Sequence, residues 1–100
     1  ELSSVAGITL FACAGDRVHA NWLFSLHVEQ RVPFIQMMKS KGIDVSVVHQ
    51  RIDTNSVFGG RAEGLSNLER LTETMICLPL HNLLTDADCE YVIKSIRGGW

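Results

Sequence analysis

Apolar positions along the chain come in short runs, and their spacing switches between two and three-to-four at defined points. Ile8 to Ala14 is short, apolar and bounded by Gly7 and Gly15, which predicts a strand, and Gly15-Asp16 predicts the turn after it. From Trp22 to Glu29 the alternation is clearest. Trp22, Phe24, Leu26 and Val28 interleave with Leu23, Ser25, His27 and Glu29. Side chains two apart share a face of a strand, so the first set is expected to line a core. The two strands are expected to pair as a hairpin around the loop from Gly15 to Asn21.

The spacing then becomes helical. Val32 to Lys41 predicts a helix with Pro33 in its first turn, where a missing N–H is harmless. Phe34, Ile35 and Met38 form its apolar stripe, and Lys39 and Lys41 lie where the helix dipole favours cations. Gly42 predicts a left-handed stop, with Ile43 packing back. Asp44 to Ile52, with Val45, Val47 and Val48, predicts a third strand. Thr54 to Gly64 holds three glycines and a single Phe58, the mark of a functional or mobile loop. Ser66 to Met75 predicts a second helix, opened by a capping box of Ser66 and Glu69. Pro79 ends it within an extended segment carrying Ile76, Leu78 and Leu80.

Thr85 to Arg97 predicts the best-marked helix. Thr85 and Asp88 supply a cap, Leu84 and Cys89 a hydrophobic staple, and Cys89, Val92, Ile93 and Ile96 an inner stripe. Gly98 is expected to terminate it. The sum is an α+β fold: a small, mostly antiparallel sheet of three strands covered on one face by three helices.

Composition narrows the class. One hundred residues fit one domain, and 46% hydrophobic with 20% charged residues is an ordinary globular balance. Nine basic against eleven acidic residues leave a formal charge of -2, with no basic stripe for nucleic acid. No apolar run approaches the roughly 20 residues of a membrane helix. Three cysteines, Cys13, Cys77 and Cys89, make a disulfide framework a poor reading and a reducing, cytoplasmic setting a better one. Glu1 to Val5 carry no start signal, and the apolar Trp100 after Gly98-Gly99 is expected to be docked. The chain is therefore expected to be one domain, residues 1–100, and part of something larger. Such a domain should expose an apolar patch near its N-terminal strand or its Trp100 end.

Candidate chemistry is sparse. His19, His27, His49 and His81 are scattered without ligand spacing, so no metal site is expected. No serine sits in a G-x-S-x-G setting, no glycine-rich phosphate cradle is present, and Cys89 on an apolar stripe reads as core. One cluster stands out. His49, Gln50, Arg51, Asp53, Asn55 and Ser56 follow an apolar segment and run into the glycine loop. In a strand, His49 and Arg51 would share a face, with Arg51 clamping an anion in its fork and His49 donating beside it. A solvated strand end is the alternative.

Several runs in order carry a resemblance. They are Trp22-Leu23-Phe24-Ser25-Leu26-His27-Val28, Arg31, Gly42-Ile43-Asp44 and Val48-His49-Gln50-Arg51. Leu78-Pro79-Leu80-His81, Leu84-Thr85, Tyr91-Val92-Ile93 and Ile96 follow. From about Ile8 onward the chain resembles the C-terminal segment of the DegT/DnrJ/EryC1/StrS aminotransferases, pyridoxal-phosphate enzymes that aminate nucleotide-linked keto sugars. The resemblance implies the small C-terminal domain of the aspartate aminotransferase type of fold. It implies as partners a missing N-terminal domain that holds pyridoxal phosphate, a nucleotide-sugar substrate and a second subunit in a homodimer. It also implies that Ser46 to Phe58 lies near the substrate, which makes His49, Arg51, Asp53, Asn55, Ser56 and Phe58 candidate substrate contacts. Many members carry His-Tyr and a proline where this chain has His49-Gln50-Arg51. No catalytic residue is expected here, and Lys39, Lys41 and Lys94 lack the setting of a cofactor lysine, so no cofactor is expected on this segment alone. The alternative is a stand-alone α+β module that binds a small ligand and dimerises through its sheet.

Overall fold

Strand register sets the two faces of the molecule. A computed structural model describes all 100 residues. Strands β1 (Ile8–Leu10), β2 (Phe24–Val28) and β3 (Met75–Leu78) form one antiparallel sheet in the order β1-β2-β3. Ile8 lies opposite Val28 and Leu10 opposite Leu26, while Leu26 also faces Ile76 and Phe24 faces Leu78. These residues share one face because the side-chain period of a strand is two. Thr9, Ser25, His27, Met75 and Cys77 point the other way. The first face meets Phe34 and Met38 of helix α1 (Arg31–Ser40), Ile96 of helix α3 (Asp86–Arg97), and the loop residues Leu2 and Ile43. Helix α2 (Ser66–Thr74) runs straight into β3.

The expected hairpin is present, and so is the α+β layering. The third strand lies elsewhere. Asp44 to Ile52, expected in that place, makes a single bridge, with reciprocal bonds between Ser46 and Cys77 of 3.1 and 2.8 Å. β3 instead comes from Met75-Ile76-Cys77-Leu78, of which all four are buried. A strand covered on both faces has no alternation to read, so Met75 passes for the end of a helix and the rest for a connector. β1 stops at Leu10, and Phe11 to Ala14 are exposed. β2 starts at Phe24, leaving Trp22 73% exposed instead of lining the core.

The helix ends separate sequence signals that form from those that do not. α1 ends as expected: Gly42 takes φ 72°, and the amides of Gly42 and Ile43 donate to the carbonyls of Lys39 and Met38 at 3.0 Å each. At α3 the Asp88 amide donates to Thr85 Oγ1 at 3.2 Å and the Thr85 amide donates to Asp88 Oδ2 at 2.9 Å, completing the box. At α2 the box is absent. The Glu69 amide donates to the Leu65 carbonyl at 2.9 Å, so Leu65 is the capping residue and Ser66 lies inside the first turn, where its hydroxyl cannot cap. α3 ends where expected, at Arg97 with Gly98 as its capping residue at φ -69°, and the left-handed position falls on the next residue, Gly99, at φ 82°.

That turn sends Trp100 back over the sheet. Its indole N–H donates to the Glu29 carbonyl at 2.8 Å, and its ring meets Phe34 edge-on at a centroid distance of 5.0 Å. Gly7, at φ 80°, lies against the same ring, and a Cβ there would sit 3.0 Å from it. Arg31 ties α1 to the end of α2 by donating to the carbonyls of Thr72 at 2.6 Å and Met75 at 3.2 Å.

Candidate functional site

The segment after Ile43 crosses the outer edge of β3 at the Ser46–Cys77 bridge and then leaves the sheet. Val45 and Val47 pack against the core on the way. Two short 3-10 turns follow, Ile52–Thr54 and Ser56–Phe58, before the glycines. The residues expected at a substrate site all lie on this excursion, but they divide into an inner and an outer set.

Arg51 and Asp53 form the inner set. The Arg51 guanidinium is buried and donates through Nε to Asp53 Oδ1 at 2.8 Å and through Nη2 to the other carboxylate oxygen. Nη2 also donates to the Ala62 carbonyl at 3.0 Å, and the Ala62 amide donates back to Asp53 Oδ2 at 2.9 Å. The two bonds to Ala62 thus join the start of the loop to its end. The hydrogen bonds from Arg51, then the Ala62 amide, hold the Asp53 carboxyl well below the usual carboxylate range. Asp53 in turn raises the Arg51 pKa. The fork read from the sequence as an anion clamp is thereby filled by Asp53. Only Nη1 lacks a partner, and the nearest carboxylate oxygen is Glu69 Oε1 at 3.9 Å.

His49, Asn55, Ser56 and Phe58 form the outer, exposed set. Asn55 Nδ2 donates to the Ile52 carbonyl at 2.9 Å, and the Thr54 hydroxyl donates to the Arg51 carbonyl at 2.6 Å, so the turn is held by its own side chains. Phe58 is 56% exposed beside the still more exposed Val57. Because the strand does not persist to residue 51, His49 and Arg51 are not brought together. His49 turns instead to Trp22, with ring centroids 6.2 Å apart at 68°, on a cleft of 660 Å3 that also takes in Phe11 and Asn21. Trp22 and Phe11 are neighbours of the site that alternation hides, since it assigns Trp22 to the core. Their only signal is a position beyond a strand end, next to turn residues.

On the second face of the sheet His27 bonds Thr74 Oγ1 through Nδ1 at 2.6 Å and lies against Phe11 at a ring distance of 4.5 Å. Burial, and then the charge of Arg70, lower its pKa. Histidine, cysteine, aspartate and glutamate side chains do not gather in any group of three able to hold a metal ion. Lys39, Lys41 and Lys94 are all exposed, and none lines a larger cleft. No helix is long and apolar enough to cross a membrane.

A three-stranded antiparallel sheet with helices on it, matching this chain along nearly its whole length, is a unit found within sugar aminotransferases. The sugar aminotransferase CalS13 from Micromonospora echinospora superposes with a TM-score of 0.92 at 30% identity, over 99% of this chain and 27% of its own. AtS13 from Actinomadura melliaura matches at 0.91 and 30%, over 99% of this chain and 26% of its own. DesV from S. venezuelae, at 23% identity and a TM-score of 0.88, shares the fold over 97% of this chain and 27% of its own. A search of curated proteins gives no match. The family model of the DegT/DnrJ/EryC1/StrS aminotransferases matches residues 1–97, and the chain belongs to that family. It spans about a quarter of the length of the solved structures it resembles.

Proposed function

We propose that this chain is the C-terminal small domain, residues 1–100, of a cytoplasmic, homodimeric aminotransferase that uses pyridoxal phosphate and a nucleotide-linked keto sugar. The observation that supports it is the asymmetry of coverage: 99% of this chain aligns with CalS13, but only 27% of CalS13 with this chain. Pyridoxal phosphate, when bound, supplies the electron sink for amino transfer. The residues present do not fit a site for it, since each of the three lysines is exposed and none lines a larger cleft. The cofactor would then be held by the part of the enzyme outside this chain.

The domain's own contribution is to present and shape a substrate-facing loop. Arg51 and Asp53 hold the loop closed from within, and His49, Asn55, Ser56 and Phe58 offer polar and aromatic groups from its outer side. The test uses the purified chain, pyridoxal phosphate, glutamate and a nucleotide keto sugar. The expected result is no amino transfer and no cofactor fixed to lysine by borohydride. A pyridoxyl group recovered on Lys39, Lys41 or Lys94 would overturn the proposal. So would an upstream reading frame without a lysine-bearing cofactor domain.

A further inference from the structure

The core face of the sheet is covered along only part of its length. Ile8, Leu26, Val28 and Ile76 are buried with α1 and the end of α3. Leu10 and Phe24 occupy the same face by register, yet they are 39% and 42% exposed. The inner stripe of α3 is uncovered in the same direction. Ile96 is fully buried, Val92 and Ile93 are half-buried, and Cys89 is exposed. These sheet and helix residues open into one cleft of 330 Å3, in which Glu1 is the only charged lining residue. Two amphipathic elements thus turn apolar faces toward a space that no element of this chain fills. Exposed apolar surface of this kind marks a contact still to be made.

The geometry points to one occupant: the polypeptide directly preceding Glu1 in the parent enzyme, docking apolar side chains into this cleft. The inference rests on the reading of the chain as a C-terminal domain. Glu1 and Leu2 themselves line the cleft, so an upstream chain would leave from its rim. Most of the length of CalS13 lies outside the matched part, and with this chain as the C-terminal domain the corresponding part would join at that end. An amphipathic helix suits the cleft, because its apolar stripe can cover the sheet residues and the α3 residues together. At the other end of the chain a cleft of 400 Å3 lies beside Trp100, but that ring is already packed on Phe34, and Ser4, Arg97 and Gly99 make the lining less apolar.

Cys89 provides the probe. It is exposed in the cleft, Cys77 is buried, and Cys13→Ser removes the other exposed thiol. Maleimide modification of Cys89 is followed by peptide mass spectrometry in the 100-residue chain and in the full-length protein from the same gene. Modification is expected to be at least ~10-fold slower in the full-length protein, since thiol reactivity follows exposure. A synthetic peptide of the residues just upstream of Glu1 should slow it in the short chain as well. Equal rates in the two proteins would overturn the docking while leaving the functional reading intact, because upstream sequence would then be present but seated elsewhere. Protection that rises with the concentration of the short chain, follows a dimer in sedimentation and ignores the peptide would assign the cleft to a second copy and also overturn it. A reading frame with no upstream domain would remove the functional reading first.

Discussion

Arg51 and Asp53, two residues apart, face each other through a two-pronged ion pair that also holds both backbone groups of Ala62. The pair closes the loop from 52 to 62 from inside, with the Arg51 side chain almost fully excluded from solvent. Its pH dependence follows from the depressed Asp53 pKa. A carboxylate whose pKa is lower in the fold than in the unfolded chain stabilises the fold above the unfolded value, near 3.9. That contribution is lost as pH falls toward the folded value. The stability gap between the wild type and Asp53→Asn should therefore be constant near neutral pH and shrink below about pH 4. Urea melts across that range test it; a gap independent of pH would show that Asp53 is not ionised against Arg51.

The two capping boxes written in the sequence should respond differently. Thr85→Ala removes an observed cap and should cost about 1 kcal/mol, while Ser66→Ala removes a hydroxyl that caps nothing and should stay within about 0.5 kcal/mol. Chemical denaturation of both variants against the wild type gives the comparison. Equal losses would mean that the α2 cap forms after all.

Gly7 and Trp100 should be coupled. Gly7→Ala forces a Cβ into a left-handed backbone and against the indole, and should cost more than 1 kcal/mol. Trp100→Ala should cost about 2 kcal/mol, less than the loss of a fully buried Trp, because the ring is half-buried. In the double variant the clash vanishes and only the backbone strain of Gly7→Ala remains. The two changes should then fall short of additive, measured as a double-mutant cycle.

The outer loop residues carry the substrate prediction. In the full-length enzyme His49→Ala and Phe58→Ala should raise KM for the sugar by about 10-fold with little change in thermal stability, since both side chains are exposed. Arg51→Ala should instead lower stability, because it leaves Asp53 without its cation. Steady-state kinetics beside thermal melts separate the two outcomes. A KM unchanged in both exposed variants would take the loop away from the substrate.

The position of a buried strand was the least legible feature. Val45, Val47 and Val48 look more like a strand than Met75 to Leu78 do, yet the valine segment makes one bridge, through Ser46, and the latter a full ladder with β2. β-branched residues favour a pleated, half-buried surface, but pairing is decided by which segment reaches the partner edge in register. The α2–β3 join places Met75 opposite His27 without a loop, and the 44–52 segment is left outside it. The candidate site was legible in its location and not in its roles. The polar run from His49 to Ser56 was visible, whereas the inward turn of Arg51 depends on Asp53 and Ala62 meeting it through a fold of the loop.

Local signals were enough for the hairpin, for α1 with its Gly42 stop, for the Thr85–Asp88 cap and for the family to which the runs from Trp22 to Ile96 point. Each depends on spacings within one element or on residue order, which a sequence carries directly. Tertiary structure alone decided that Arg51 is spent on Asp53, that Trp22 leaves the core for His49, and that Leu10 and Phe24 face an open cleft. Those outcomes depend on what approaches from elsewhere in the chain, or fails to. Periodicity states which face of an element is apolar, and only the assembled fold states whether anything covers it.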